Sequence, residues 1–251
     1  MERKHWKRSY GYFPQFLCPR CRKGNLKSTK DKYKREPKHV TIELRDHEMQ
    51  GEDSEGRFVA MLACSNRICG EIVAVAGDYE SHATVDYGPT GQLEMSWDDT
   101  FRPNSMHPAP HIITWPKSLT GPPTMHLLVS FELFWVDMAA CANRLRIVVE
   151  VLLDQLGIPR AKAPGEKGPK HLDLAARIAR LGDARPGHEH ALNALRYVGN
   201  AGSHHGVVDI GDVLDCYELL EDAMVELLEH RRERLNAIAK RINDENTKPK
   251  P

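Results

Sequence analysis

Cys18-Pro-Arg-Cys21 and Cys64-Ser-Asn-Arg-Ile-Cys69-Gly70 place two pairs of thiols at close spacing near the front of a 251-residue chain. A tight turn that holds two thiolates a few residues apart supplies half of a tetrahedral metal site, and two such turns complete a closed set of four thiolates. Zinc suits this donor set. Because four thiolates leave the metal no open position for a substrate, the expected role is structural. Apolar residues precede each pair, Phe16-Leu17 and Met61-Leu62-Ala63, and the second spacing is wider than usual. Two other readings stand beside this one: scattered core cysteines, or a redox pair at Cys18 and Cys21, which lacks the strand-to-helix context such a pair needs. Cys141 and Cys216 fall within helical patterns and read as core residues.

The elements that must position the cysteines are short strands. Val40-Thr-Ile-Glu-Leu44 alternates apolar and polar residues, Arg57 to Leu62 reads as a return strand, and Gly51 to Gly56 as the turn between them. Residues 1–76 are therefore expected to form a small zinc-ribbon-like module. Its first stretch is basic, with Arg3, Lys4, Lys7, Arg8, Arg20, Arg22, Lys23 and Lys27 among its cations. From residue 77 to 124 the chain is rich in Gly, Pro, Asp, Ser and Thr, and Pro103, Pro108, Pro110, Pro116, Pro122 and Pro123 disfavour helix. This segment is expected to be an irregular but ordered connector, packed through Trp97, Phe101 and Trp115, with short candidate strands at most, such as His111 to Trp115 and, just before it, Ile72 to Ala76.

Beyond it the period changes. Leu128, Phe131, Trp135, Met138, Ala142, Leu145, Val149, Leu152 and Leu156 recur at three and four residues, which predicts one long amphipathic helix ended by Gly157-Ile-Pro159. Leu172 to Leu181 outlines a short helix stopped by Gly182, and Ala191 to Val198 a third ended by Gly199-Asn200. Val213 to Ile238 outlines a long final helix, with Asp209 or Asp212 as its cap, before a polar tail at 244–251. The expected fold is mainly α, an antiparallel helical bundle over 125–243 behind the small β-rich module.

Two strings on these helices carry further information: Ala194-Leu-Arg196-Tyr-Val-Gly199-Asn200-Ala-Gly-Ser-His204-His205-Gly206, and Cys141-Ala-Asn-Arg-Leu-Arg146-Ile-Val-Val-Glu150. In order and placement they resemble the domain of unknown function 4145 family (DUF4145), a branch of the HEPN superfamily, and the cysteine pairs ahead resemble zinc knuckles joined to that family. The resemblance implies a HEPN-like bundle. It also implies metal-independent RNA binding or cleavage in a bacterial antiviral-defence or toxin system. In that chemistry an arginine stabilises charge on a phosphoryl group and a histidine moves the proton of the attacking 2′-hydroxyl. Carried over residue by residue, Arg196 is the phosphate clamp, Asn200 the positioning amide and His204 the general acid or base, with His205 beside it.

The pattern departs from the superfamily's in two places. Seven residues separate Arg196 from His204, more than catalytic members usually have, and Gly199 stands where many carry an arginine. The alternative is a non-catalytic interaction module, in which these residues tie a loop to the next helix. Arg146 and Glu150, four apart on a helix, read as a structural ion pair. The resemblance also implies a homodimer, with RNA or a larger defence-system protein as partner. Composition limits the rest: Lys plus Arg equals Asp plus Glu at 35 each, so no global field selects a nucleic acid or membrane. No apolar run is long enough for a membrane span and the charged front lacks a signal-peptide core, so the expected location is the cytoplasm, where thiols stay reduced.

Overall fold

A period of two runs much further along the chain than the short candidate strands suggest. In the computed structural model, which describes residues 2–38, 54–87, 89, 91–165 and 170–247, the front half is a curled antiparallel sheet of four strands. β1 spans Leu26–Pro37, β2 Ser54–Cys64, β3 Ile72–Tyr87 and β4 Leu93–His107, and they lie side by side in chain order. Ser54, Gly56, Phe58, Ala60 and Leu62 face inward on β2 while the residues between them face out, which is the signature of a sheet with one covered face. The register is fixed by pairs such as Leu26 with Cys64, Ala63 with Ile72 and Tyr87 with Leu93. The strand expected at Val40 to Leu44, and the front of the turn expected at Gly51, lie outside the described residues.

The mainly α expectation is therefore corrected. The chain is 46% helix and 25% strand, and the sheet is no small module, since β3 alone is 16 residues long. Residues 77–107, expected to be irregular, hold most of β3 and all of β4, whereas His111 to Trp115 is not a strand. The physical reason lies at Gly77 and Pro103. They face each other where the β3–β4 register shifts. A Cβ on Gly77 would sit 2.1 Å from the Arg102 carbonyl oxygen, so glycine permits the close approach. Pro103 is tolerated because β4 is an edge strand, where a missing N–H costs no ladder bond.

The chain divides into two compact units, Glu2–Ile112 with Phe131–Asp137, and Ile113–Ser130 with the chain from Met138 on. In the first, Phe16, Phe58, Leu62, Val73, Val75 and Met106 are buried with Phe134 and Trp135. Trp6, Phe16 and Trp135 meet at ring-centroid distances of 5.1 to 6.1 Å.

Six helices follow the sheet: α1 Pro122–Val136, α2 Met138–Gln155, α3 Leu174–Ala184, α4 Glu189–His205, α5 Ile210–Glu229 and α6 Arg231–Thr247. The single long helix expected from Met125 to Leu156 is broken at Asp137. There Arg8 donates to the carbonyl oxygens of Phe134 at 3.2 Å and Trp135 at 3.4 Å, serving acceptors that a helix end leaves without partners. The expected long final helix is likewise two, α5 and α6, parted at His230, whose φ is 50°. Asp209, one of the two candidate caps, accepts from the Gly211 amide at the start of α5. Gly182 and Gly199-Asn200 stop nothing: Gly182 lies inside α3, and α4 runs on to His205 and ends at Gly206, whose φ is 68°. The helical core is Leu145, Val148, Val149 and Leu152 of α2 with Ile178, Leu192, Leu195, Val213, Tyr217 and Leu220. Within it the Tyr217 hydroxyl donates to Ser130 Oγ at 2.9 Å and lies 3.3 Å from Cys141 Sγ, which satisfies a buried polar group. Among the described residues no helix is long and apolar enough to cross a membrane.

Candidate functional site

The chain brings Cys18, Cys21, Cys64 and Cys69 together. Cys18 and Cys21 lie on a turn in which the Arg22 amide donates to the Cys18 carbonyl and the Cys18 amide to that of Gly24. Cys64 ends β2 opposite Leu26, and Cys69 lies in a turn where its amide donates to the Asn66 carbonyl and Gly70 takes a φ of 62°. The site is thus built at one end of the sheet. A Cβ on Gly24 would sit 2.5 Å from Cys64 Sγ, so glycine lets the first turn close onto the second.

Sγ of Cys18 lies 3.7 Å from that of Cys69, Sγ of Cys21 lies 3.7 Å from that of Cys64, and all four fall within 4.8 Å of one another. A tetrahedral thiolate centre with metal–sulfur bonds of about 2.3 Å has its sulfurs about 3.8 Å apart, so the donor set and its spacing fit a metal. Backbone N–H groups of Gly24 and Lys23 lower the Cys21 thiol to about 6, whereas burial raises Cys64 to about 12. All four thiolates together would repel one another, and a bound cation removes that obstacle.

The second predicted set is on α4. Arg196, Asn200 and His204 follow at four-residue steps on one continuous helix, so each is about 6 Å further along the axis than the last and turned by about 40°. They share a broad face but spread over about 12 Å. Arg196 is half-buried. Its Nε donates to Asn193 Oδ1 at 2.9 Å, and its guanidinium lies 4.1 Å from the centroid of the Tyr197 ring, which is itself exposed. Among the described residues no carboxylate pairs with it. His204 is exposed. Asn193 and Tyr197 were not anticipated, although a residue three positions back and an adjacent aromatic are within an arginine's ordinary reach.

Arg146 differs from Arg196. It pairs with Glu150 at 2.5 Å and donates to Asn143 Oδ1 at 3.3 Å. The two glycines of the α4 string also have a packing role. A Cβ on Gly199 would sit 2.6 Å from Arg146 Cβ, and one on Gly202 would sit 2.7 Å from the Ala139 carbonyl oxygen. Both strings therefore mark the same contact, the close approach of α4 to α2.

Comparison with known families agrees with the division into a sheet and a bundle. Residues 130–245 match the family described as Domain of unknown function (DUF4145), the family the α2 and α4 strings resemble, and residues 8–106 match a second, Domain of unknown function (DUF8608). No curated protein and no solved structure matches the chain.

Proposed function

We propose that this is a HEPN-like RNA-binding protein whose four cysteines hold a structural zinc. The observation that carries the RNA reading is the contrast on the α2–α4 face: Arg146 is neutralised by Glu150, whereas Arg196 is held by an amide and an aromatic ring. An arginine kept in place without a carboxylate keeps its charge for an anion, and its planar donor fork suits a phosphodiester. Asn200 and the exposed His204 continue the row along the helix, and Tyr197 offers a ring on which a base can stack. In the sheet unit Lys23 and Arg67 are exposed on the cysteine turns, which adds positive charge beside the metal. The zinc would be a scaffold, since its four thiolates close the coordination shell. We also propose a cytoplasmic location and, on the strength of the family resemblance, a homodimer within a bacterial antiviral-defence or toxin system.

Metal-independent cleavage of RNA is the reaction this row permits, with Arg196 on the phosphate and His204 moving the 2′-hydroxyl proton. One observation favours the non-catalytic alternative, a module that docks onto a larger nucleic-acid-processing complex. Because α4 is unbroken, Arg196 and His204 stand two turns apart, further than one phosphate spans without both side chains leaning inward. Incubation of the zinc-loaded protein with labelled single-stranded RNA, without added divalent metal, separates these readings. Products ending in a cyclic phosphate, lost in Arg196→Ala and in His204→Ala, support cleavage. Binding without products supports the module, and neither binding nor cleavage overturns the RNA reading.

A further inference from the structure

On α4 the neighbours of Arg196 offer more than a phosphate contact requires. Each residue of a helix turns the chain by about 100°, so Asn193, Tyr197, Asn200 and His204 fall within an arc of about 60°. They make one row along α4, opposite the face on which Leu192, Leu195, Gly199 and Gly202 are buried. Arg196 stands at the edge of this row and folds back over it. Its Nε donates to Asn193 Oδ1, and its guanidinium lies 4.1 Å from the centroid of the Tyr197 ring.

The guanidinium covers one face of that ring. The other face is open, since Tyr197 is 62% exposed, and an open aromatic face takes an unpaired base by stacking. Asn200 lies three residues beyond Tyr197, about 4.5 Å further along the axis, which brings its side chain beside the edge of a base stacked there. Among the described residues no hydrogen bond engages the Asn200 amide. The Asn193 amide differs, because its oxygen already accepts from Arg196. Asn200 therefore presents a donor and an acceptor side by side in one plane.

A donor next to an acceptor discriminates among bases. Adenine carries the complementary pair on two edges, its N6 donor beside N1 and again beside N7, whereas guanine, cytosine and uracil carry one on the Watson–Crick edge alone. The N7 edge of guanine holds only acceptors and suits an arginine, and Arg196 is taken by the phosphate. A purine also covers more of the tyrosine ring than a pyrimidine does. We propose that α4 reads one unpaired adenine: the base stacks on the open face of Tyr197, its N6 amino group donates to Asn200 Oδ1, and Asn200 Nδ2 donates to the ring nitrogen beside it. The assignment rests on the RNA reading and adds to it the base that the site selects.

The experiment uses four short fluorescent RNAs of uridine that differ only in a central A, G, C or U, each titrated with the zinc-loaded full chain at fixed moderate salt. The adenosine RNA should bind about fivefold or more tightly than the all-uridine RNA, the low end of what a two-bond contact to a base discriminates. Asn200→Ala should lose this preference and hold the all-uridine RNA within about twofold of wild type, because the phosphate contact is untouched. Tyr197→Ala should weaken binding of all four, while Tyr197→Phe should bind as wild type does, because the ring and not the hydroxyl takes the base. Each variant should unfold at the wild-type temperature, since the row faces away from the helical core. Equal affinity whatever the central base, or an adenosine preference that survives Asn200→Ala, would overturn the proposal and leave the RNA reading standing. Failure to bind any of the four would remove the RNA reading and the adenine assignment with it.

Discussion

The α-carbon of Gly199 lies so close to Arg146 that a Cβ added to the glycine would stand 2.6 Å from the arginine's own Cβ. This contact joins the two sequence strings that resemble one family. It also explains why glycine sits inside a helix that it would otherwise weaken: α4 can approach α2 only where one side has no side chain, and the approach fixes the side of α4 on which Arg196, Asn200 and His204 stand.

Filling the contact should therefore loosen the bundle. Gly199→Ala and Gly202→Val are each expected to destabilise the helical unit by about 1–3 kcal/mol, the usual cost of overpacking, despite the better helix propensity of alanine. Urea unfolding followed by helical circular dichroism measures this, and a stabilised Gly199→Ala would show that the backbone approach does not matter.

Thiol chemistry separates the six cysteines into two classes. Cys141 and Cys216 are buried, and burial raises the Cys216 thiol to about 12, which makes both poor nucleophiles. The native metal-loaded protein is expected to react slowly with a thiol reagent. Treatment with a strong chelator should loosen the two turns and open Cys18, Cys21, Cys64 and Cys69 to the reagent, Cys21 first because its thiol lies at about 6, while the last two react only on unfolding. Six equally fast thiols before denaturation would contradict this assignment.

Much of this could be read in the sequence, and the parts that could not have physical causes. The cysteine turns were legible because each pair is local, so spacing alone announces which cysteines cluster. Breaks at Asp137 and His230 were not: the three-and-four spacing of apolar residues runs through the first, and across the second Leu228 and Leu235 are seven apart, which keeps the helical phase. What ends α1 includes Arg8, 126 residues away from Phe134 in the chain, and no local pattern contains it. The extent of the sheet was hidden because Gly77 and Pro103, read singly, are strand breakers; opposed to each other at a sheet edge they are compatible with a strand. On α4 the residue types were legible but the helix boundary was not, since a Gly-Asn pair looks like a helix end and is here a packing contact.

Asp154 supplies a dependence on acid. It accepts hydrogen bonds from Arg160 and, on the other side, from the buried Arg177, which also donates to the carbonyls of Glu150 and Ile158. Arg160 first, and Arg177 with it, hold the carboxyl below its ordinary value. A carboxyl depressed in the folded state adds stability above its unfolded pKa of about 3.9, and that stability is lost as pH falls through the lower, folded value. Asp154→Asn should therefore be less stable than wild type at pH 7, and the gap should close below about pH 4. A gap independent of pH between 7 and 3 would show that the charge of Asp154 is not what ties α2 to α3.

The metal should behave as part of the fold of the sheet unit. One zinc per chain is expected by elemental analysis, with Cys18→Ser and Cys64→Ser each losing it and melting the sheet unit before the helical one. Protein that contains no zinc yet melts identically to these variants would remove the metal from the account.

The most direct test of the RNA reading is binding of a fluorescent, unstructured RNA to the zinc-loaded protein at fixed moderate salt, comparing wild type, Arg196→Ala and Arg146→Ala. Arg196 is predicted to matter far more: its loss should weaken binding about tenfold or more, and reduce the salt dependence, without lowering thermal stability. Loss of Arg146, already neutralised by Glu150, should change stability and leave affinity within about twofold once the protein is folded. Equal affinity of Arg196→Ala and wild type would contradict the claim that α4 presents a phosphate-binding arginine.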